Sequence, residues 1–228
     1  MNPVASTQKE RYRRSEGTRG LHDTVDLAPQ WVAMSTPRAA TSPTVAILLA
    51  AGAGSRFTGP GHKLLAPFRG STVIGRSLEA VLAAGFDAVI VVTGAADIAT
   101  QLPDDPRLIV AHNPEWADGQ ATSVQCGLDR ARELGAEQVV IGLADQPMVT
   151  SHAWRTVASS QSPIAVATYD GVRGNPVRLH SSVWHLVPTH GDTGARDLIR
   201  LHPELVSQVA CEGSGADIDT HEDLDTWT

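Results

Sequence analysis

From Thr44 onward, short blocks that are apolar at nearly every position alternate with longer stretches in which apolar residues recur every three or four positions. Val45-Ala46-Ile47-Leu48-Leu49, Ala88-Val89-Ile90-Val91-Val92 and Val139-Val140-Ile141 are blocks of the first kind. Such blocks fit strands buried on both faces, as in a parallel sheet. They predict strands over about 44–50, 87–94, 107–111, 139–143, 163–169 and 205–210, with a strand-like Val177-Arg178-Leu179. The second kind predicts helices over about 72–84, 95–101, 121–134, 150–160 and 193–201. Ile74, Leu78, Val81 and Leu82 form the stripe of the first, and Gly85 ends it. Thr220 with Glu222 and Asp223 reads as the start of a short last helix. No internal repeat and no second core are visible, so residues 44–228 are expected to form one α/β domain, a mostly parallel sheet flanked by helices.

Residues 1–43 break this pattern. They are rich in Ser, Thr, Arg and Pro and lack periodic apolar spacing, which reads as a disordered or loosely docked arm. Charge follows the same division. The arm holds six Lys/Arg against four Asp/Glu, leaving 12 against 21 for the remainder of a chain of formal charge −7. An acidic body argues against a general nucleic-acid surface while suiting a divalent cation. Cys126 and Cys211 are the two cysteines, with no zinc-like spacing, and the longest apolar run falls far short of the ~20 residues a membrane span needs. A reduced, cytoplasmic setting without membrane partners is expected.

The first strand stops abruptly in Ala50-Ala51-Gly52-Ala53-Gly54-Ser55, followed by Arg56, Gly59-Pro60-Gly61 and Lys63. Small residues let backbone N–H groups approach an anion, and a guanidinium and an ammonium supply charge for a polyphosphate. Two named phosphate fingerprints are absent. Phe57 stands where the dinucleotide pattern needs its third glycine, and Lys63 is followed by Leu64 rather than Ser or Thr. Ala144-Asp145-Gln146-Pro147 places a carboxylate after the strand at 139–143, where open α/β sheets bind ligands. Asp217 and Asp219 form a later pair. Each aspartate has a plain alternative as a helix cap or turn residue. Taken with the loop, they make a coherent set: carboxylates for Mg²⁺, Arg and Lys for phosphates.

LLAAGAGSRF…HKLLAPFRG, N…WADGQATSVQCGL, LADQP, GNPV, GDTGAR and DIDTHEDL, in this order over about residues 44–225, resemble the molybdenum cofactor nucleotidyltransferases, the cytidylyltransferase branch especially. The resemblance implies a single Rossmann-like nucleotidyltransferase domain that transfers a nucleoside monophosphate from an NTP to the phosphate of molybdenum-bearing molybdopterin, releasing pyrophosphate. Leu49-Ala50-Ala51-Gly52 is similar to the family's cytosine signature, whereas the guanine branch usually has Leu-Ala-Gly-Gly, so the implied donor is CTP rather than GTP. By position, Arg56 and Lys63 match the basic residues on the triphosphate. Leu49 and the loop Ala50, Ala51, Gly52, Ala53, Gly54 and Ser55 match the phosphate segment. Asn113, Gly119 and Ser123 match the lining of the nucleotide pocket, and Asp145 and Asp219 the metal carboxylates. Asn175, Asp192 and Arg196 fall in motifs facing the cofactor substrate. The implied catalytic set is Arg56, Lys63 and Asp145, with Mg²⁺ as cofactor and transient contact with a molybdenum hydroxylase.

This chain departs from the family in Thr58-Gly59-Pro60-Gly61-His62, which lengthens the loop before Lys63. Three other readings stand beside the resemblance. The chain is a nucleotidyltransferase of this fold using GTP or another phosphorylated acceptor, or a non-catalytic chaperone of the finished cofactor. The third, a dinucleotide-dependent oxidoreductase, is disfavoured by Phe57.

Overall fold

A computed structural model describes residues 42–58 and 61–227, so the expectation of a disordered or loosely docked arm over 1–43 lies outside the described residues, save Ser42 and Pro43. Nine strands and five α-helices are described. The strands are β1 (Thr44–Ala50), β2 (Pro67–Phe68), β3 (Ser71–Thr72), β4 (Ala88–Thr93), β5 (Leu108–His112), β6 (Gln138–Leu143), β7 (Ile164–Tyr169), β8 (Val172–His180) and β9 (Val206–Ala210). The helices are α1 (Val73–Ala83), α2 (Gln120–Glu133), α3 (Ser151–Ala158), α4 (Arg196–Leu201) and α5 (His221–Trp227).

Seven strands form one sheet in the order β5-β4-β1-β6-β8-β7-β9. All its pairings are parallel except those of β8, which runs antiparallel to both β6 and β7. Val45 to Leu49 send alternate side chains to opposite faces, which is why the block is apolar throughout. Ala46 and Leu48 pack with Ile74, Leu78, Val81 and Trp154 of α1 and α3. Val45, Ile47 and Leu49 pack with Val124, Leu128 and Ala131 of α2 and with Leu198 of α4. Gly127 lets α2 come this close: a Cβ there would stand 2.7 Å from Ile47 Cγ2.

The chain leaves β1 through α1 toward β4 and returns through α2 to β6 on the other flank of β1. The order therefore reverses between β1 and β6. A crevice at the carboxyl ends of those two strands is the expected ligand position in an open α/β sheet.

Three expectations change. The helix over 95–101 is only a 3-10 turn at Ala99–Gln101, because Asp97 accepts from the Ala99 amide at 3.0 Å as an Asx turn and Pro103 follows. The helix from Thr193 starts at Arg196, with Thr193 Oγ1 donating to Asp197 Oδ2 at 2.7 Å, so neither Asp192 nor Thr193 caps it. The strand-like 177–179 is the end of a nine-residue β8. That strand joins β7 through Asp170-Gly171, both at positive φ as a two-residue hairpin demands. Asn175-Pro176, whose peptide is cis, form a bulge in β8 opposite Val166-Ala167, which accommodates a proline inside the sheet.

Candidate active site

The loop after β1 folds back on itself before delivering Lys63. Gly54 has φ +63° and its carbonyl accepts from the Phe57 amide. Phe57, the residue that breaks the dinucleotide pattern, is buried and stacks on His221 with ring centroids 4.1 Å apart. His62 Nε2 lies 3.0 Å from the Gly52 carbonyl, while its Nδ1 accepts from the Leu64 amide and starts the 3-10 turn Lys63–Leu65. These contacts of His62 fix the start of the turn, and Lys63 reaches the aspartates.

Lys63 Nζ donates to Asp145 Oδ2 at 2.5 Å and to Asp219 Oδ1 at 2.7 Å. Arg56 meets Asp219 Oδ2 at 2.8 Å. Neither aspartate serves as a cap. Thr150 caps α3, and Thr220 Oγ1 accepts from the Asp223 amide, while the Asp223 carboxylate accepts from Thr220 and Asp219 amides. Asp145 sits just past the end of β6, its carbonyl accepting from the Ile218 amide at 2.8 Å. That bond brings the 217–219 segment alongside it.

Burial pulls the Lys63 pKa down, but the charges and hydrogen bonds of Asp145 and Asp219 outweigh it and hold the ammonium above its ordinary value. Asp217 is different: burial, with the charge of Asp145 beside it, pushes its carboxyl up. Gln146, which no sequence motif singled out, is 4% exposed and donates from Nε2 to Asp217 Oδ1 and to the Gly215 carbonyl. Only its place beside Asp145 in LADQP marked it.

A cavity of about 480 Å³ opens beyond these groups. Leu49, Ala50, Ala51, Gly52, Ala53, Gly54, Ser55, Arg56 and Lys63 line it, with Gly119, Ser123, Asp145, Asp192 and Asp219. Trp116 and Gln120 also face it. Asn113 does not line it. It is 3% exposed and donates from Nδ2 to Thr122 Oγ1 and Ser123 Oγ, setting the start of α2 from behind. Gly119 has φ +108°, and a Cβ there would stand 2.5 Å from the Gly191 carbonyl oxygen, so the Gly191-Asp192 segment closes onto the helix start. Asn175 and Arg196 line a separate recess of about 40 Å³ that shares Leu49, Gln120 and Leu143 with the larger cavity. Cys126 is half-buried and its thiol pKa is raised by burial and by Asp129, which suits packing rather than nucleophilic attack.

Among the described residues no group of three or more His, Cys, Asp or Glu forms a ready metal cage. Two carboxylates from separate segments nevertheless converge, and Asp145 Oδ1 is a buried acceptor without a hydrogen-bond partner. Hard oxygen ligands of this number fit Mg²⁺, which completes its shell with phosphate oxygens and water. No described helix is long and apolar enough to cross a membrane.

Comparison with known proteins places the chain among nucleotide-handling relatives. The sequence profile of the MobA-like NTP transferase domain matches residues 46–208. Nicotine blue oxidoreductase of Paenarthrobacter nicotinovorans is 33% identical over 194 residues, 78% of this chain and 93% of that protein. Purine catabolism protein PucB of Bacillus subtilis is 29% identical over 194 residues, 79% of this chain and 94% of its own. Among solved structures, Rv0371c of Mycobacterium tuberculosis superimposes with a TM-score of 0.70 at 28% identity, covering 81% of this chain and 97% of that one. Rv0371c has also been solved as a complex with manganese, at a TM-score of 0.67.

Proposed function

The chain belongs to the MobA-like NTP transferase family, and on that premise we propose that it transfers CMP from CTP to the terminal phosphate of molybdenum-bearing molybdopterin, releasing pyrophosphate. The observation that carries this reading is the meeting of Lys63 with Asp145 and Asp219 at the mouth of the loop after β1. Three segments distant in sequence bring a cation and two carboxylates to one side of a cavity sized for a nucleotide.

In this reading the triphosphate lies along residues 50–55, whose small side chains leave the backbone accessible, with Arg56 and Lys63 on its oxygens. Gly119 and Ser123 border the nucleoside, and Asn113 holds that border in place. Asp145 and Asp219 would hold Mg²⁺, which when bound supplies charge neutralisation at the phosphates. Asp192, Asn175 and Arg196 lie on the acceptor side. The acceptor phosphate, ionised at neutral pH, attacks the α-phosphorus in line; the new P–O bond forms as the α–β bridging bond breaks and pyrophosphate leaves with the electron pair. No general base is required. Residues of this chain contribute orientation and charge stabilisation. The reading takes a reducing cytoplasm as its compartment and a molybdenum hydroxylase as recipient of the product.

The deciding experiment is calorimetric titration with CTP and GTP in the presence of Mg²⁺. CTP is expected to bind more tightly; equal affinity or a preference for GTP overturns the cytidylyl assignment. Pyrophosphate release with CTP, GTP, ATP and UTP then separates transfer from a chaperone role, which predicts tight cofactor binding without release. The 33% identity to a protein named an oxidoreductase supports a second reading, in which the cavity serves redox chemistry. Turnover of reducing equivalents without pyrophosphate release would favour it. The paired aspartates around Lys63 favour transfer.

A further inference from the structure

The place between Asp145 and Asp219 is taken by a cation of the chain's own. Lys63 Nζ contacts both carboxylates, at 2.5 and 2.7 Å, from a side chain only 12% exposed. Arg56 makes one contact, to Asp219, from a side chain 76% exposed. Two charge-assisted hydrogen bonds in a half-buried setting outweigh a single ion pair at the surface. A divalent cation and Lys63 therefore compete for the same carboxylate oxygens. A triphosphate alters that balance, because the cavity Lys63 lines is also lined by residues 50–55 and Arg56, and phosphates there offer the ammonium a second set of anionic partners.

We propose that Lys63 is a resident counter-ion whose exchange of partners, from the aspartates to the phosphates, makes divalent-cation binding depend on nucleotide. The inference rests on the reading of Asp145 and Asp219 as the cation's ligands and adds the order in which the site fills. Without nucleotide, Lys63 neutralises the two carboxylates and keeps a bare cation out. With nucleotide, the ammonium moves onto phosphate oxygens and the carboxylates are released together. By linkage, the cation raises nucleotide affinity by the same factor that nucleotide raises cation affinity.

Mn²⁺ binding to the full chain, followed by electron paramagnetic resonance with and without CTP, tests this directly. Wild type is expected to bind Mn²⁺ weakly alone and tightly with CTP. Lys63→Gln is expected to bind nucleotide-free Mn²⁺ about tenfold or more tightly than wild type, the equivalent of one charge-assisted hydrogen bond released. Lys63→Arg keeps the positive charge and gains nothing, while Asp145→Asn placed on Lys63→Gln removes the gain. Lys63→Met, uncharged and of similar length, repeats the measurement if Lys63→Gln does not fold. Wild type binding nucleotide-free Mn²⁺ as tightly as Lys63→Gln would overturn the proposal. No Mn²⁺ binding by any form, even with CTP, GTP, ATP or UTP, would instead overturn the assignment of the two aspartates as metal ligands, and this inference with it.

Discussion

Lys63 is held by two partners, one after β6 and one just ahead of α5, so its removal has a dual effect. It strips the cavity of a cation and leaves Asp145 and Asp219 facing each other. Lys63→Ala and Asp145→Asn are each expected to lower transfer by roughly 100- to 1000-fold, the usual effect of losing one electrostatic contact to a transition state. Circular dichroism and thermal melting are expected to show a folded protein; near-normal turnover in either variant would refute their roles. Gly119 is equally specific in its demand. At φ +108° with the Gly191 carbonyl 2.5 Å from where a Cβ would lie, Gly119→Ala must strain the backbone or push the 191–192 segment away. A loss of about 1–3 kcal/mol is expected in urea unfolding, together with weaker CTP binding in calorimetry. Unchanged stability would mean the segment yields freely. At this scale the sequence proposed Asp145 and Asp219 but left open whether they cap helices. Contacts decide it: the capping duties fall to Thr150 and Thr220.

Short elements were the least legible. Both hairpin turns, Arg69-Gly70 and Asp170-Gly171, have the positive φ pair of a two-residue connection. Asp170-Gly171 lies between alternating residues and was a readable signal. It was obscured because Asn175-Pro176 looks like an interruption, and only pairing on both sides shows β8 absorbing it as a bulge. Long elements were legible because their apolar periods are set by burial. One staple between elements has a pH signature. Asp87 accepts from the Thr44 amide at 2.7 Å and its hydroxyl at 2.8 Å, joining the start of β1 to the start of β4, and these bonds hold its carboxyl below the usual 3.8. A lowered folded pKa means its contribution is present above the ordinary value and lost as pH falls through the folded one. Asp87→Ala is therefore expected to melt below wild type from pH 5 to 8. That gap should close as pH drops toward the folded pKa, and a gap constant down to pH 2 would remove the charge from the explanation.

At the scale of the molecule, the described residues contain a seven-stranded sheet and both layers of helix packing. A chain beginning at Ser42 is accordingly expected to unfold in one cooperative calorimetric transition, with calorimetric and van't Hoff enthalpies equal and CTP affinity unchanged. Two transitions would divide the described residues into separate cooperative units, and loss of nucleotide binding would show that residues 1–41 belong to the functional unit.

By itself the sequence determined the architecture and the chemistry on offer. Burial on both faces writes itself as uninterrupted apolar blocks, and the loop that lines the cavity writes itself as small residues beside Arg and Lys, because both are local consequences of backbone geometry. The tertiary structure alone decided which charges meet. Lys63 and Asp219 are 156 residues apart, and their contact depends on the β1–β6 reversal together with the Ile218-to-Asp145 backbone bond. Long-range pairing of this kind leaves no period in the chain. The same holds for Asn113, whose part in the pocket is played from behind its wall.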